Sequence, residues 1–346
     1  MFDTFYSAFN LNYNALFGEM FISMEDRTEV GRLRGIFVTI SLILAFVLPT
    51  IIIEDLTNQY GYSKTQGEYI LSGIIAGCII IIAYYITLRW GVRNPKVFIK
   101  DHETSKSFKD TLKFTLGNKS FLIFLIPALA TWMCIGILPT VVPLFATYVL
   151  EITEEDSLLT GVLLLVTFLV GGASMPLWAK IRKNKGARFA GLLAIIVWAV
   201  TLMIFMFSYD FTSAVISMIF VGFGLGGCIY FYDQCLAEII DEDEIKYGTR
   251  RAGSYYGIIN LVIRLSVIIN FLIIAILFSS SNWQTYTPNP GYDVINALRF
   301  LVGWFPLILL IIGFIGLYFY PIHGKRLEEN RKKLTALHAE KLEKLK

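Results

Sequence analysis

Charge is scarce in this chain. Only 16% of its 346 residues are Asp, Glu, Lys or Arg, against about 25% in an ordinary soluble domain. With 55% hydrophobic residues, a globular body solvated on all sides is excluded. Histidine is scarcer still: His102, His323 and His338 fall in polar stretches, where a solvated surface role is expected for each. The four cysteines, Cys78, Cys134, Cys228 and Cys235, sit in apolar stretches or at their ends. Their spacing matches neither a disulfide framework nor a metal site, so they are read as small apolar residues. No Ser–His, paired-Asp or metal-ligand arrangement lies within the apolar stretches, which argues against an intramembrane enzyme. Met1-Phe-Asp-Thr lacks a basic n-region and no small-residue cleavage site follows, so no cleavable signal peptide is expected.

What the chain does have is apolar length. A hydrocarbon core of ~30 Å takes about 20 helical residues to cross. Nine stretches of that order recur, at roughly 2–22, 33–53, 69–88, 120–149, 157–179, 189–208, 211–234, 255–279 and 295–320. Of the 30 Lys and Arg, three follow the first stretch and eight lie between Arg89 and Lys119. Five more fall between Lys180 and Arg188, three between Lys246 and Arg251, and eight after Pro321. These are alternate gaps, and basic residues accumulate on the cytoplasmic side. The N-terminus is therefore expected outside and the C-terminus inside. The net charge of +3 is topological and predicts no nucleic-acid partner.

The longest polar gap sets the expected domains: a three-span block over 1–90, a cytoplasmic central loop over 91–118, a six-helix bundle over 119–320 and a charged tail over 321–346. Six spans after such a loop are half of a common twelve-helix transporter plan. The fourth span contains Pro127, Pro139 and Pro143, the fifth Gly171-Gly172, and the seventh Gly222-Phe-Gly-Leu-Gly-Gly227. Small residues let helices approach closely. In the tail, Leu327, Leu334, Leu337, Leu342 and Leu345 form a thin apolar stripe among charges. An amphipathic helix is expected there, resting on the inner leaflet, paired with another helix or solvated.

Ionisable and amide groups inside spans are costly and face the protein interior or an aqueous path. Arg264 lies midway along the eighth span, one turn beyond Asn260. On the first span Asp3, Tyr6, Asn10 and Asn14 fall on one side. Tyr230, Tyr232, Asp233 and Gln234 end the seventh span, either lining a cavity or marking the interface. After them comes Glu238-Ile-Ile-Asp241-Glu-Asp243-Glu244-Ile-Lys246-Tyr-Gly248-Thr-Arg250-Arg251-Ala-Gly253-Ser-Tyr-Tyr-Gly257. An acidic run, a glycine turn and Arg-Arg opening the next helix predict a cytoplasmic charge latch, with pairs to adjacent helices and the facing half that form in one state and part in another. Asp241, Asp243, Arg250 and Arg251 are its candidate gate residues.

That segment resembles the glycoside–pentoside–hexuronide:cation symporters, the melibiose-permease branch of the major facilitator superfamily. The family carries an Asp-rich, Gly-x-Arg-Arg/Lys-x-x-Gly loop between helices ten and eleven. Asn12-Tyr-Asn-Ala-Leu-Phe-Gly-Glu19, with Asp26-Arg27 and Arg34, resembles its fourth helix and the loop into the fifth. Tyr286-Thr-Pro-Asn-Pro-Gly-Tyr292 is similar to its last outer turn. The likeness covers essentially the whole chain. It implies an all-α membrane bundle of about nine transmembrane helices, family helices 4–12.

By that resemblance the sugar-contacting carboxylate of helix four falls on Asn10 and the helix-five arginine on Arg34. A polar sugar contact of helix eleven falls on Asn260, and the helix-ten aromatic near Ile229 and Tyr230. Arg264 stands where the family has a basic residue, usually Lys. Tyr6, Asn10, Asn14, Arg34, Tyr230 and Asn260 are thus the expected substrate-side residues, with Arg264 and Asp3 as the charge-pairing ones. The helix-four carboxylate is absent, and so are the first three helices with the family's cation-binding carboxylates. A truncated reading, helices supplied by another chain and lost coupling remain alternatives.

The expected function is a cation-coupled sugar or glycoside symporter working by alternating access, multi-pass in the plasma membrane. It would need no cofactor beyond a coupling Na+ or H+, and its partners would be a small-molecule substrate and the bilayer. A sodium-coupled transporter of lysolipids or other amphiphiles is the first alternative, and a non-transporting membrane protein the second.

Overall fold

The computed structural model describes residues 9–10, 13, 16, 20–21, 24–52, 62–92, 113–152, 157–280 and 291–343. Among these residues the regular structure is entirely helical. In chain order, α1 is Met24–Ile52, and α2, Tyr62–Ile86, continues as a π-helical turn over Thr87–Gly91. Next come α3 (Lys119–Tyr148), α4 (Ser157–Lys185), α5 (Ala187–Met206), α6 (Phe211–Tyr247) and α7 (Ala252–Ser280). Then α8, Tyr292–Arg299, passes through a π turn at Phe300–Trp304 into α9, Phe305–Tyr318; α10, Gly324–Glu343, closes the chain. Seven described stretches are long and apolar enough to cross a membrane: α2 with its π turn, α3 to α7, and α8 with α9. They match seven of the nine expected spans. The second expected span coincides with α1, and most of the first lies outside the described residues.

Backbone polar groups have no partner in hydrocarbon, so the spans must be helical. Their faces then divide by neighbour. Ile81, Ile268 and Ile276 are more than half exposed, as lipid-facing residues of such a bundle are, whereas Phe124, Trp198 and Phe205 are fully buried. The centre is α6, packed between α4 and α5; α3 packs on α9 and α7, and α1 on α4. The glycine run of α6 explains this. A Cβ on Gly222 would sit 2.3 Å from the Thr167 carbonyl oxygen, and one on Gly226 2.2 Å from that of Gly171. On the other side of α6, a Cβ on Gly224 would meet Trp198 of α5 at 2.6 Å. Two glycine faces let α6 touch two helices backbone to backbone.

The ends of α6 are fixed locally. Asp210 caps it, accepting from the Ser213 N–H at 3.0 Å, while the Ser213 hydroxyl completes a capping box. That hydrogen bond holds the exposed Asp210 carboxyl below its ordinary pKa. At the far end Gly248 takes φ +75°, the left-handed conformation that terminates helices.

Candidate functional site

Two polar constellations lie on this scaffold. The first joins the segments before and after the central basic stretch. Arg34 of α1 faces Asp233 of α6, Nη1 to Oδ2 3.6 Å. The Tyr256 phenol of α7 and that of Tyr13 lie within electrostatic reach of the guanidinium. α1 passes close to α6 here, since a Cβ on Gly31 would lie 3.7 Å from Gln234 Nε2. Gln234 is buried, and its Oε1 has no hydrogen-bond partner among the described residues; neither has the buried Asn260 Nδ2. Trp132 of α3 meets the Tyr232 ring edge-on, centroids 5.6 Å apart. Spacing by four places Tyr256, Asn260 and Arg264 on one face of α7.

The fold thus brings Arg34 together with Asp233 and Tyr256, and sets Asn260 one turn along α7 from that group. Tyr230 is buried one turn before Gln234. Asn10 is half-buried, and so is Arg264, two turns beyond Tyr256. Asp3, Tyr6 and Asn14 lie outside the described residues. A charge pair, phenols, an indole and two amides with spare capacity suit a hydroxyl-rich solute and supply no covalent chemistry.

The second constellation is at the basic end. Arg250, buried in the α6–α7 turn, donates Nη1 to Asp241 Oδ1 at 3.0 Å and to Glu244 Oε2 at 2.5 Å. Burial alone disfavours its charge, but Asp241 and Glu244 outweigh that and raise its pKa. Arg251 clasps Asp243, donating from Nη2 at 2.6 Å and from Nε at 2.9 Å, and stacks on the Tyr247 ring at 4.4 Å. The four gate residues are therefore together.

The ion pairs described for these four lie within the α6–α7 turn, whereas the latch expectation also included pairs to the facing half. The tail also differs from a solvated helix. α10 packs on α6, where His338 Nε2 reaches Glu244 Oε1 at 2.9 Å and Lys341 Nζ reaches the same oxygen at 3.0 Å. Arg326 Nε donates to Glu242 Oε1 at 2.8 Å, and Ser120 of α3 to Oε2 at 2.7 Å. His338 is thus buried, not on a solvated surface, because Glu244 and the buried Leu334, one turn earlier on α10, draw that face inward. Deeper, Arg182 of α4 approaches Glu238 of α6 at 3.7 Å, both buried.

His323, in the link from α9 to α10, meets Arg188 at 2.7 Å. Burial first, then the charges of Arg188 and Arg326, hold its pKa below the ordinary value, so the neutral ring accepts. Arg188 also donates to the Tyr318 carbonyl, tying the start of α5 to the end of α9.

A bundle of membrane-crossing helices with a polar junction between its segments is the architecture of a solute carrier. Residues 1–324 match the family described as MFS/sugar transport protein. The chain belongs to that family, within the major facilitator superfamily. It is 22% identical over 98% of its length to the mouse sodium-dependent lysophosphatidylcholine symporter 1, covering 67% of that protein. It is 24% identical over 95% of its length to the glucuronide carrier protein homolog of Escherichia coli, covering 71% of it. A zebrafish symporter, sodium-dependent lysophosphatidylcholine symporter 1-A, is 23% identical over 76% of this chain, which spans half of that relative. Among solved structures the Escherichia coli fucose:proton symporter superposes with a TM-score of 0.59 at 12% identity, over 90% of this chain and 73% of the other.

Proposed function

We propose that this protein is a cation-coupled symporter of sugars or glycosides, working by alternating access about the Arg34–Asp233 junction. The observation that carries the reading is the set of buried, under-used polar groups beside that junction. Gln234 Oε1 and Asn260 Nδ2 lack partners among the described residues, and a buried unpaired amide costs about 1–3 kcal/mol. A bound solute offering both donors and acceptors repays that cost, and sugar hydroxyls offer both. Trp132 and Tyr232 add aromatic surface for a pyranose face. The glucuronide carrier homolog among the relatives supports the same class. Na+ or H+ is the proposed coupling ion. Arg264 would pair with carboxylates of the facing half, and Asp241, Asp243, Arg250 and Arg251 would govern the cytoplasmic side.

The lysophosphatidylcholine symporters among the relatives favour a second reading, in which Arg34 meets a phosphate and the aromatic surface an acyl chain. Competition in proteoliposomes separates the two. A labelled glucuronide taken up down a cation gradient and displaced by glycosides supports the first; displacement by lysolipids alone supports the second. No uptake of either by correctly inserted protein rejects both.

A further inference from the structure

Away from the junction, at the outer ends of α7 and α8, lies a cavity of about 640 Å³. Its lining changes character with depth. Asp293, Asn296 and Arg299 belong to the outer two turns of α8, while Phe300 and Trp304 follow further into the membrane, with Leu277 of α7 opposite. Asp293, Asn296, Phe300 and Trp304 recur every three or four residues and so share one face. Eleven residues separate the first from the last, which at ~1.5 Å per residue is about 16 Å, the depth of one leaflet of a ~30 Å core.

Arg299 is held rigidly. Its guanidinium donates to the Met206 carbonyl and lies 4.6 Å from the Tyr209 ring centroid. A guanidinium has five N–H donors, so one backbone bond leaves donors for a ligand. Carboxylate and guanidinium lining one mouth match a headgroup bearing both charges, and the apolar wall below matches an acyl chain. Asp293 disfavours a purely anionic headgroup, and the aromatic wall disfavours a free sugar or free phosphate.

We propose that this groove is a binding site for a zwitterionic outer-leaflet phospholipid, its phosphate on Arg299, its ammonium on Asp293 and one acyl chain along Phe300 and Trp304. The site is separate from the junction and does not depend on which solute is carried.

The full chain is extracted from membranes containing equal phosphatidylcholine and phosphatidylglycerol, and its retained lipid is read by native mass spectrometry. Phosphatidylcholine should be retained about fivefold over phosphatidylglycerol, the scale of one partly exposed charge contact. Asp293→Asn should abolish that preference, and Trp304→Ala should lower retention of both lipids. Equal retention of the two lipids by the wild type, or Trp304→Ala retention equal to wild type, overturns the proposal. In unsubstituted protein, a photoactivatable phosphatidylcholine should cross-link within residues 292–304; cross-links confined to other helices overturn it independently of any variant's folding.

Discussion

Arg34 of α1 and Asp233 of α6 stand 3.6 Å apart, one on each side of the long basic stretch that divides the chain. Their side chains are 26% and 28% exposed, so as a static contact the pair contributes at most about 1 kcal/mol. Its position matters more: under the proposed alternating access, a pair across the two segments would make and break with the transport cycle.

Arg34→Ala and Asp233→Ala should each lower uptake at least about tenfold while shifting the melting temperature by only about 2–4 °C. The exchanged pair, Arg34→Asp with Asp233→Arg, should recover part of the uptake. A large loss of thermal stability without a selective loss of uptake would make the pair structural instead.

Gly226→Ala should destabilise the bundle by about 1–3 kcal/mol, as overpacking does. The added methyl meets the Gly171 oxygen at 2.2 Å and Ser174 Oγ at 2.4 Å. At Gly161 nothing lies within 4 Å of an added Cβ, and there alanine should be neutral or stabilising by up to about 1 kcal/mol. Melting of the two variants in one detergent checks the contrast.

Glu244 and Lys341 touch but should differ sharply. The Glu244 and Arg250 side chains are 0% and 1% exposed, and removing one partner of such a pair costs about 3–5 kcal/mol. Lys341, at 15% exposure, is one of several donors to Glu244, and Lys341→Ala should cost less than about 1 kcal/mol. Thermal melts of Glu244→Ala and Lys341→Ala test this directly.

The Arg188–His323 contact gives a pH dependence. Because the folded His323 pKa lies below the ordinary histidine value, the unfolded chain binds the proton more readily. The contribution is therefore present above about pH 6.5 and lost as pH falls through the folded value. Wild type should melt above His323→Ala at pH 8, and that advantage should vanish or reverse at low pH.

Much of the fold was legible because apolar length is a physical requirement of the bilayer and needs no partner to be recognised. Arg250 and Arg251 were legible too, since their carboxylates lie within ten residues along the same turn. Local spacing could not reveal Asp233 as the neighbour of Arg34, because the packing of α1 on α4, which itself packs on α6, sets that meeting. His338 misled for the same reason. Its surroundings in sequence are charged, and the carboxylate of Glu244, 94 residues earlier, draws it inward. The glycine run of α6 announced close approach, but which helices approach was written in Thr167, Gly171 and Trp198 on two other spans.

The most direct test of the account is gradient-driven uptake of a labelled glucuronide by the chain reconstituted in liposomes, compared with Arg34→Ala. Saturable uptake that requires a Na+ or proton gradient, and that collapses in the variant, is the predicted result. Uptake by inserted wild-type protein no greater than in empty liposomes, or equal in the two proteins, would contradict it.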